Sequence, residues 1–156
     1  MAGPLRAAAL AMALAATASA FAGDGHHAAR VAYPPQYAQE CGSCHVAYPP
    51  GMLPAASWQR ITAGLARHFG TDASLDAPQL KSISSWLQSN AGTYRRVDAQ
   101  PAQDRITRSA WYIRKHDEVR ADVWKRAAVR GPSNCSACHP QAAEGSFNEH
   151  DIRIPR

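Results

Sequence analysis

The sequence predicts a mainly α-helical protein built from two small halves, residues 21–92 and residues 93–156. Apolar residues recur at intervals of three and four in several segments, which is the spacing of one helix face. No segment shows a convincing strand pattern. Each half carries one Cys-x-x-Cys-His motif and is too short to build a large core from its own side chains. We therefore expect something bulky and apolar inside each half.

Residues 1–20 have the order of features typical of a secretory signal peptide. One charge, Arg6, precedes an apolar run over residues 7–16, and small residues at Ala18 and Ala20 suit cleavage after Ala20. The apolar run is shorter than the ~20 residues that span a bilayer, and no later stretch is long and apolar enough. We therefore expect an exported, periplasmic protein with no transmembrane span in the mature chain.

Three helices are predicted in the first half. The first covers residues 36–45 and ends before a Pro-Pro-Gly sequence. The second covers residues 58–69, with Ser57 as its N-terminal cap and apolar residues at helical spacing. The third ends at about residue 90 and begins at Asp76, which opens a capping-box pattern.

The second half is predicted to contain one helical region between two irregular segments. Residues 92–104 lack periodicity and are predicted to form a linker. Ser109 can cap the following helix, which restarts near Asp122 and ends before Gly131. Residues 140–156 are predicted to be irregular.

The two Cys-x-x-Cys-His motifs match the attachment sequence of a c-type haem. Two cysteines three residues apart reach the two vinyl groups of one haem as thioethers, and the next histidine ligates the iron. A disulfide, a thioredoxin-like pair and a zinc site are the alternatives. Zinc does not require a histidine after either pair, and the α/β pattern of a thioredoxin is absent. The sequence therefore predicts two covalent haem c groups, held by Cys41, Cys44 and His45 and by Cys135, Cys138 and His139.

Each iron needs a further ligand or keeps an open position. His68 shares a predicted helix face with Ile61 and Leu65, and we interpret it as a ligand of the first iron. Met52 follows His45 by only seven residues, so the chain would have to wrap the haem edge quickly. We interpret Met52 as a packing residue.

The second iron has two candidate distal ligands. His116 shares an apolar face with Tyr112, and His150 in the charged C-terminal segment is its competitor. His26 and His27 lie in a Gly- and Ala-rich stretch and are interpreted as solvated.

Four segments resemble the bacterial dihaem cytochrome c family: residues 41–58, 66–75, 105–119 and 133–147, with IRIPR closing the chain. The resemblance implies an N-terminal half similar to a small class I cytochrome c, with histidine in place of the usual methionine. It also implies a second haem in a less regular C-terminal half. The four axial ligands that it implies are His45, His68, His116 and His139.

The resemblance further implies a periplasmic electron carrier, in which two low-spin haems relay electrons to or from another redox protein. The partners that it implies are a high-spin monohaem cytochrome c that binds oxygen, or a membrane b-type cytochrome. The alternative function is a small dihaem peroxidase or reductase with one open iron. That chemistry needs an open position and distal acid–base groups, whereas the chain has enough histidines to close both irons. We expect no catalytic residues and no nucleic-acid partner.

The positive charge is concentrated in the second half. Without Arg6 the net charge falls from +5 to +4. Residues 21–92 contain four basic and four acidic residues, whereas residues 93–156 contain twelve basic and eight acidic ones. Six of the basic residues crowd the linker and the fourth helix: Arg95, Arg96, Arg105, Arg108, Arg114 and Lys115. We interpret some of these residues as neutralising haem propionates. We predict that the others form a docking surface for an acidic partner.

Overall fold

The computed structural model describes residues 31–94, 97 and 99–156. Its helices are α1 (Pro35–Gly42), α2 (Ala55–Ala63), α3 (Ala77–Ser89), α4 (Ala110–Lys115) and α5 (Ala121–Trp124). Short 3₁₀ turns connect them, and the described part of the chain forms no strand beyond one isolated bridge between His68 and Thr71. The predicted mainly α-helical fold is confirmed. The predicted signal peptide, His26 and His27 lie outside the described residues.

The first half is organised around a core between α1, α2 and α3. Helix α2 packs along α3, and α1 lies against α3 as well. Leu53 and Leu87 are almost fully buried there, and the indole nitrogen of Trp58 donates a 2.7 Å hydrogen bond to the Pro50 carbonyl. Each large apolar side chain that leaves water in this way contributes about 1.5–3 kcal/mol. This core fixes the ends of α1 and α2, after which His45 and His68 lie.

Helix α3 agrees with its predicted extent. The Asp76 side chain accepts a hydrogen bond from the Gln79 backbone nitrogen at 2.8 Å, which caps the first turn. The helix ends at Ser89, and Gly92 follows with a φ of 67°, a left-handed conformation that glycine adopts without strain.

The prediction of one helix over residues 58–69 was wrong at both ends. Helix α2 begins at Ala55, so Ser57 is buried inside the helix and does not cap it. The helix stops at Gly64, a poor helix former, and the Leu65 carbonyl accepts from the Ala73 nitrogen. His68 therefore lies in the turn after α2 and not on its apolar face.

Helix α1 is also shorter than predicted, because it ends at Gly42 and not at residue 45. The first Cys-x-x-Cys-His motif therefore crosses a helix end. Cys41 lies in the last helical turn, and Cys44 and His45 lie beyond it.

The second half contains less regular structure, as predicted, and it also has fewer buried side chains. Ser109 caps α4 by accepting from the Tyr112 nitrogen, and the helix ends one residue before His116. After α5, residues 125–156 form 3₁₀ turns and irregular chain. The buried apolar side chains among residues 110–156 are Tyr112, Val123, Val129 and Ala142.

Several side chains connect the two halves. Arg60 of α2 forms a 2.8 Å ion pair with Asp104, and its guanidinium lowers the pKa of that carboxyl below its ordinary value. The Trp111 indole donates to the Met52 carbonyl at 3.2 Å. The boundary between residues 92 and 93 stays a prediction. No helix within the described ranges has the length and apolar character needed to cross a membrane.

Candidate functional site

The imidazole rings of His45 and His68 face each other in the first half. Their centroids are 6.2 Å apart, and their planes are 27° from parallel. Metal–imidazole bonds of about 2 Å on each side put the centres of two facing rings about 6 Å apart. The gap therefore fits one metal ion bound by both rings. Cys41 lies in the last turn of α1, and Cys44 directly precedes His45 in the sequence.

Both rings of this first pair are held in the form that ligates a metal. His45 donates from Nδ1 to the Val46 carbonyl at 2.7 Å, which leaves its Nε2 lone pair free. Burial lowers the pKa of His68, and the neighbouring His45 and Arg105 lower it further. His68 is consequently neutral at neutral pH, and neutral imidazole is the ligand form.

Aromatic side chains border the first pair on both sides. Tyr48 stacks on His45 with ring centroids 4.8 Å apart, and Phe69 meets His68 edge-on at 4.9 Å. The Arg105 guanidinium lies 4.2 Å above the centre of the Phe69 ring, and that ring is 47% exposed. At one edge of the first site, the Phe69 ring is therefore open to solvent and carries the Arg105 guanidinium above it.

A second pair of rings, His116 and His139, has the same separation of 6.2 Å, with planes 72° apart. His116 directly follows the last residue of α4, and His139 lies two residues after the 3₁₀ turn Cys135–Ala137. The second Cys-x-x-Cys-His motif thus brings Cys138 and His139 to the end of a turn, as the first motif does at the end of α1. The two halves present equivalent arrangements built on different local structure.

The second pair is oriented by Tyr112. His116 donates from Nδ1 to the Tyr112 carbonyl at 2.9 Å, and the Tyr112 ring stacks on His116 at 4.0 Å. The hydrogen bond to this carbonyl leaves Nε2 of His116 free to bind a metal. Burial lowers the pKa of His139, and the neighbouring His116 lowers it further, which favours the neutral form of the ring. Phe147 packs beside His139 at 5.3 Å.

The remaining predicted candidates occupy other positions. The ring that faces His139 is that of His116, whereas His150 lies exposed in the turn Glu149–Asp151. Met52 is only 3% exposed, and its carbonyl accepts from the Trp111 indole, in agreement with its interpretation as a packing residue.

The cysteines do not have the properties of the alternative sites. None of the four forms a disulfide. Burial raises the pKa of the Cys41 and Cys135 thiols to about 11, whereas a thioredoxin-like pair needs a lowered thiol pKa. Among the residues that the structure describes, no three His, Cys, Asp or Glu side chains converge as a zinc site requires. The cysteine chemistry therefore fits covalent attachment of a cofactor.

Two residues of the site were missed in the sequence. Tyr48 and Tyr112 stack on His45 and His116, and neither had been assigned a role at a site. The signal was present, because each tyrosine lies three or four residues from its histidine.

The comparison with known families decides between these interpretations. The family model for dihaem cytochrome c matches residues 37–147. The chain belongs to the dihaem cytochrome c family. It is therefore an electron-transfer haemoprotein, and its cofactors are two haem c groups, in agreement with its two attachment motifs.

Solved structures of dihaem cytochromes c share this fold. The chain is 40% identical to the diheme cytochrome type c of Shewanella baltica, with a TM-score of 0.69 over 79% of this chain and 95% of that one. It is 42% identical to a diheme cytochrome c purified from Rhodobacter sphaeroides, with a TM-score of 0.64 over 75% and 99% of the two chains. A second Rhodobacter sphaeroides structure is 40% identical, with a TM-score of 0.67 over 76% and 100%. No curated protein sequence matches the chain.

Proposed function

We propose that this dihaem cytochrome c is a periplasmic electron carrier whose two irons are each ligated by two histidines. The observation that carries the proposal is the pairing of the rings. Each attachment-motif histidine, His45 or His139, has one other imidazole centred 6.2 Å away, that of His68 or His116. This separation leaves room for one metal ion between two ligating nitrogens.

The protein residues in this proposal hold, orient and close the two sites. When bound, each haem supplies an iron that takes up and releases one electron. The thioethers formed by Cys41, Cys44, Cys135 and Cys138 tether the two groups. The hydrogen bonds from Nδ1 of His45 and His116 to backbone carbonyls fix the ring tautomers, so that Nε2 of each ring would be free to ligate an iron.

A carrier is favoured over a peroxidase or reductase because the second histidine of each pair occupies the position where a small ligand would bind. An enzyme of either type needs one iron with an open position. In the proposed arrangement neither iron offers one, so electrons are the only species exchanged.

An optical spectrum of the holoprotein tests this ligation. We expect both haems to be low-spin in the oxidised and reduced forms, with no thioether-to-iron absorption band and no rapid binding of carbon monoxide. We also expect potentials below those of His/Met cytochromes, because methionine ligation raises the potential. A thioether band, or prompt carbon monoxide binding by either haem, would contradict the proposal.

For the partner, we propose a redox protein with an acidic docking surface, with the implied monohaem cytochrome c and membrane b-type cytochrome as candidates. Support comes from α4, where Ile113 is 58% exposed and the adjacent Arg114 is also exposed, two to three residues before His116. An exposed apolar side chain beside a basic one suits docking of an acidic protein near the second site. Arg95 and Arg96 of the predicted basic cluster lie outside the described residues.

Salt dependence tests the docking proposal. With a reduced plant-type ferredoxin of net negative charge as electron donor, we expect the second-order rate to fall at least about threefold from 0.01 M to 0.1 M salt. The Debye length shrinks from about 30 Å to about 10 Å over that range. Arg114→Glu should lower the rate at low salt more than Lys81→Glu does. The Lys81 substitution makes an equal charge change at an exposed position in the first half, whose net charge is zero. Equal rates for the two variants, or no salt dependence, would reject the proposal.

A further inference from the structure

Two tyrosines connect the histidine pairs to one short segment of backbone. The Tyr48 hydroxyl donates to the Ser133 carbonyl at 2.9 Å, and the Tyr112 hydroxyl donates to the Pro132 carbonyl at 2.8 Å. These carbonyls belong to consecutive residues just before Cys135. The same two tyrosine rings stack on His45 and His116, one histidine from each pair. A continuous chain of contacts therefore runs from one site to the other.

The segment that receives both hydrogen bonds, residues 131–134, is here called the bridge loop. It is held at both ends by local bonds. Gly131 has a φ of 128°, and its carbonyl accepts from the Asn134 nitrogen at 3.3 Å. The Asn134 side chain donates to the carbonyl of Val129, which is fully buried. A loop fixed in this way transmits a small displacement at one carbonyl to its neighbour.

Both tyrosines keep the proton that their hydrogen bonds need. A tyrosine hydroxyl has an ordinary pKa of ~10, so it carries this proton at neutral pH. The Tyr48 hydroxyl spans 85 residues of sequence to reach Ser133, so the contact between the halves depends on tertiary structure alone.

Stacking on an imidazole that ligates iron would depend on the oxidation state of that iron. A ligating imidazole is more positive when its iron is ferric, and the face of an aromatic ring attracts positive charge. Each tyrosine ring therefore interacts differently with its histidine in the two oxidation states. A difference of this kind is the requirement for coupling between two sites.

We propose that Tyr48 and Tyr112 are positioning residues that couple the two haem sites through the bridge loop, so that each site's electron affinity depends on the contact made at the other. The proposal rests on the bis-histidine ligation proposed above. It goes beyond that ligation because it assigns a role to two residues that hold neither iron nor thioether.

The test measures each haem separately in the fully loaded protein. Ferric haem methyl resonances in NMR report the fractional oxidation of each haem during a redox titration of wild type, Tyr48→Phe, Tyr112→Phe and the double variant. We expect Tyr48→Phe to change the reduction equilibrium of the second haem, and Tyr112→Phe that of the first, by about two- to fivefold. In the double variant these cross-effects should not add, because both substitutions interrupt one chain of contacts.

Tyr33→Phe is the matched control. It removes a buried hydroxyl that has no hydrogen-bond partner among the described residues, so both equilibria should stay at their wild-type values. The proposed coupling is rejected if each phenylalanine variant shifts only the reduction equilibrium of the haem next to its own histidine, or if it shifts neither equilibrium. A high-spin haem in the wild-type protein would contradict the proposed bis-histidine ligation itself. Two low-spin haems without cross-effects would contradict only the coupling through the bridge loop.

Discussion

His68→Ala is expected to convert the first haem alone to a high-spin form that binds carbon monoxide, and His116→Ala the second haem alone. The reason is the pairing of the rings, because each of these histidines faces one attachment-motif histidine across a 6.2 Å gap. Alanine would remove the proposed second ligand and leave a position on that iron open, while the other pair lies in the other half of the chain. The affected haem should change from no rapid carbon monoxide binding to full binding.

Carbon monoxide titration combined with EPR of the ferric protein measures the two sites separately. His150→Ala is the control, and we expect both haems to stay low-spin because His150 lies exposed in its turn. Added imidazole should restore the low-spin spectrum of His68→Ala by filling the vacated position. If His150→Ala produces the high-spin species and His116→Ala does not, the second ligand pair proposed here is wrong.

Gly51→Ala is expected to destabilise the holoprotein by about 1–3 kcal/mol, the cost of inserting a methyl group into a packed core. A β-carbon at Gly51 would overlap the Thr93 hydroxyl and lie 2.7 Å from Cδ1 of the Tyr94 ring. These residues cannot simply move away, because the Tyr94 nitrogen donates to the Gly51 carbonyl at 3.2 Å and the Gly92 nitrogen donates to Leu53 at 2.9 Å. Guanidinium unfolding of the loaded protein, followed by tryptophan fluorescence, gives the change in free energy of unfolding.

Gly42→Ala is the matched substitution. A β-carbon there meets nothing within 4 Å, and the residue ends α1. The corresponding position of the second attachment motif is already occupied by Ser136, so a side chain is tolerated there. Because alanine is favoured over glycine in a helix by about 1 kcal/mol, stability should stay unchanged or rise slightly. Equal losses for the two variants would show that the packing at Gly51 is not the cause.

Local signals predicted the parts of the fold that local interactions determine. The start of α3 followed from Asp76 because its side chain bonds three residues along the chain, and Ser109 marked the start of α4 for the same reason. The end of α2 could not be predicted in this way. There the chain turns back to pair Thr71 with His68 and Ala73 with Leu65, and no periodicity encodes that return.

The same distinction applies to the site. The attachment motifs could be identified from spacing alone. His68 and His116 became candidates because each shared a predicted apolar helix face, although His68 lies in the turn after α2. The sequence could not decide between His116 and His150, because which ring faces His139 depends on how α4 packs. The bond from Tyr48 to Ser133 joins residues 85 positions apart, which no local pattern reveals.

The scarcity of buried side chains in the second half bears on how its stability responds to cofactor supply. A fold completed by a reversibly bound group gains stability only in proportion to the logarithm of that group's free concentration, so dilution or chelation unfolds it. Thioether attachment removes this dependence, because the completing group stays on the chain even when the chain unfolds. Residues 110–156 bury only the apolar side chains of Tyr112, Val123, Val129 and Ala142, and a covalently attached haem would permanently supply the core that they lack. The stability of this half is afterwards independent of how much free haem surrounds it.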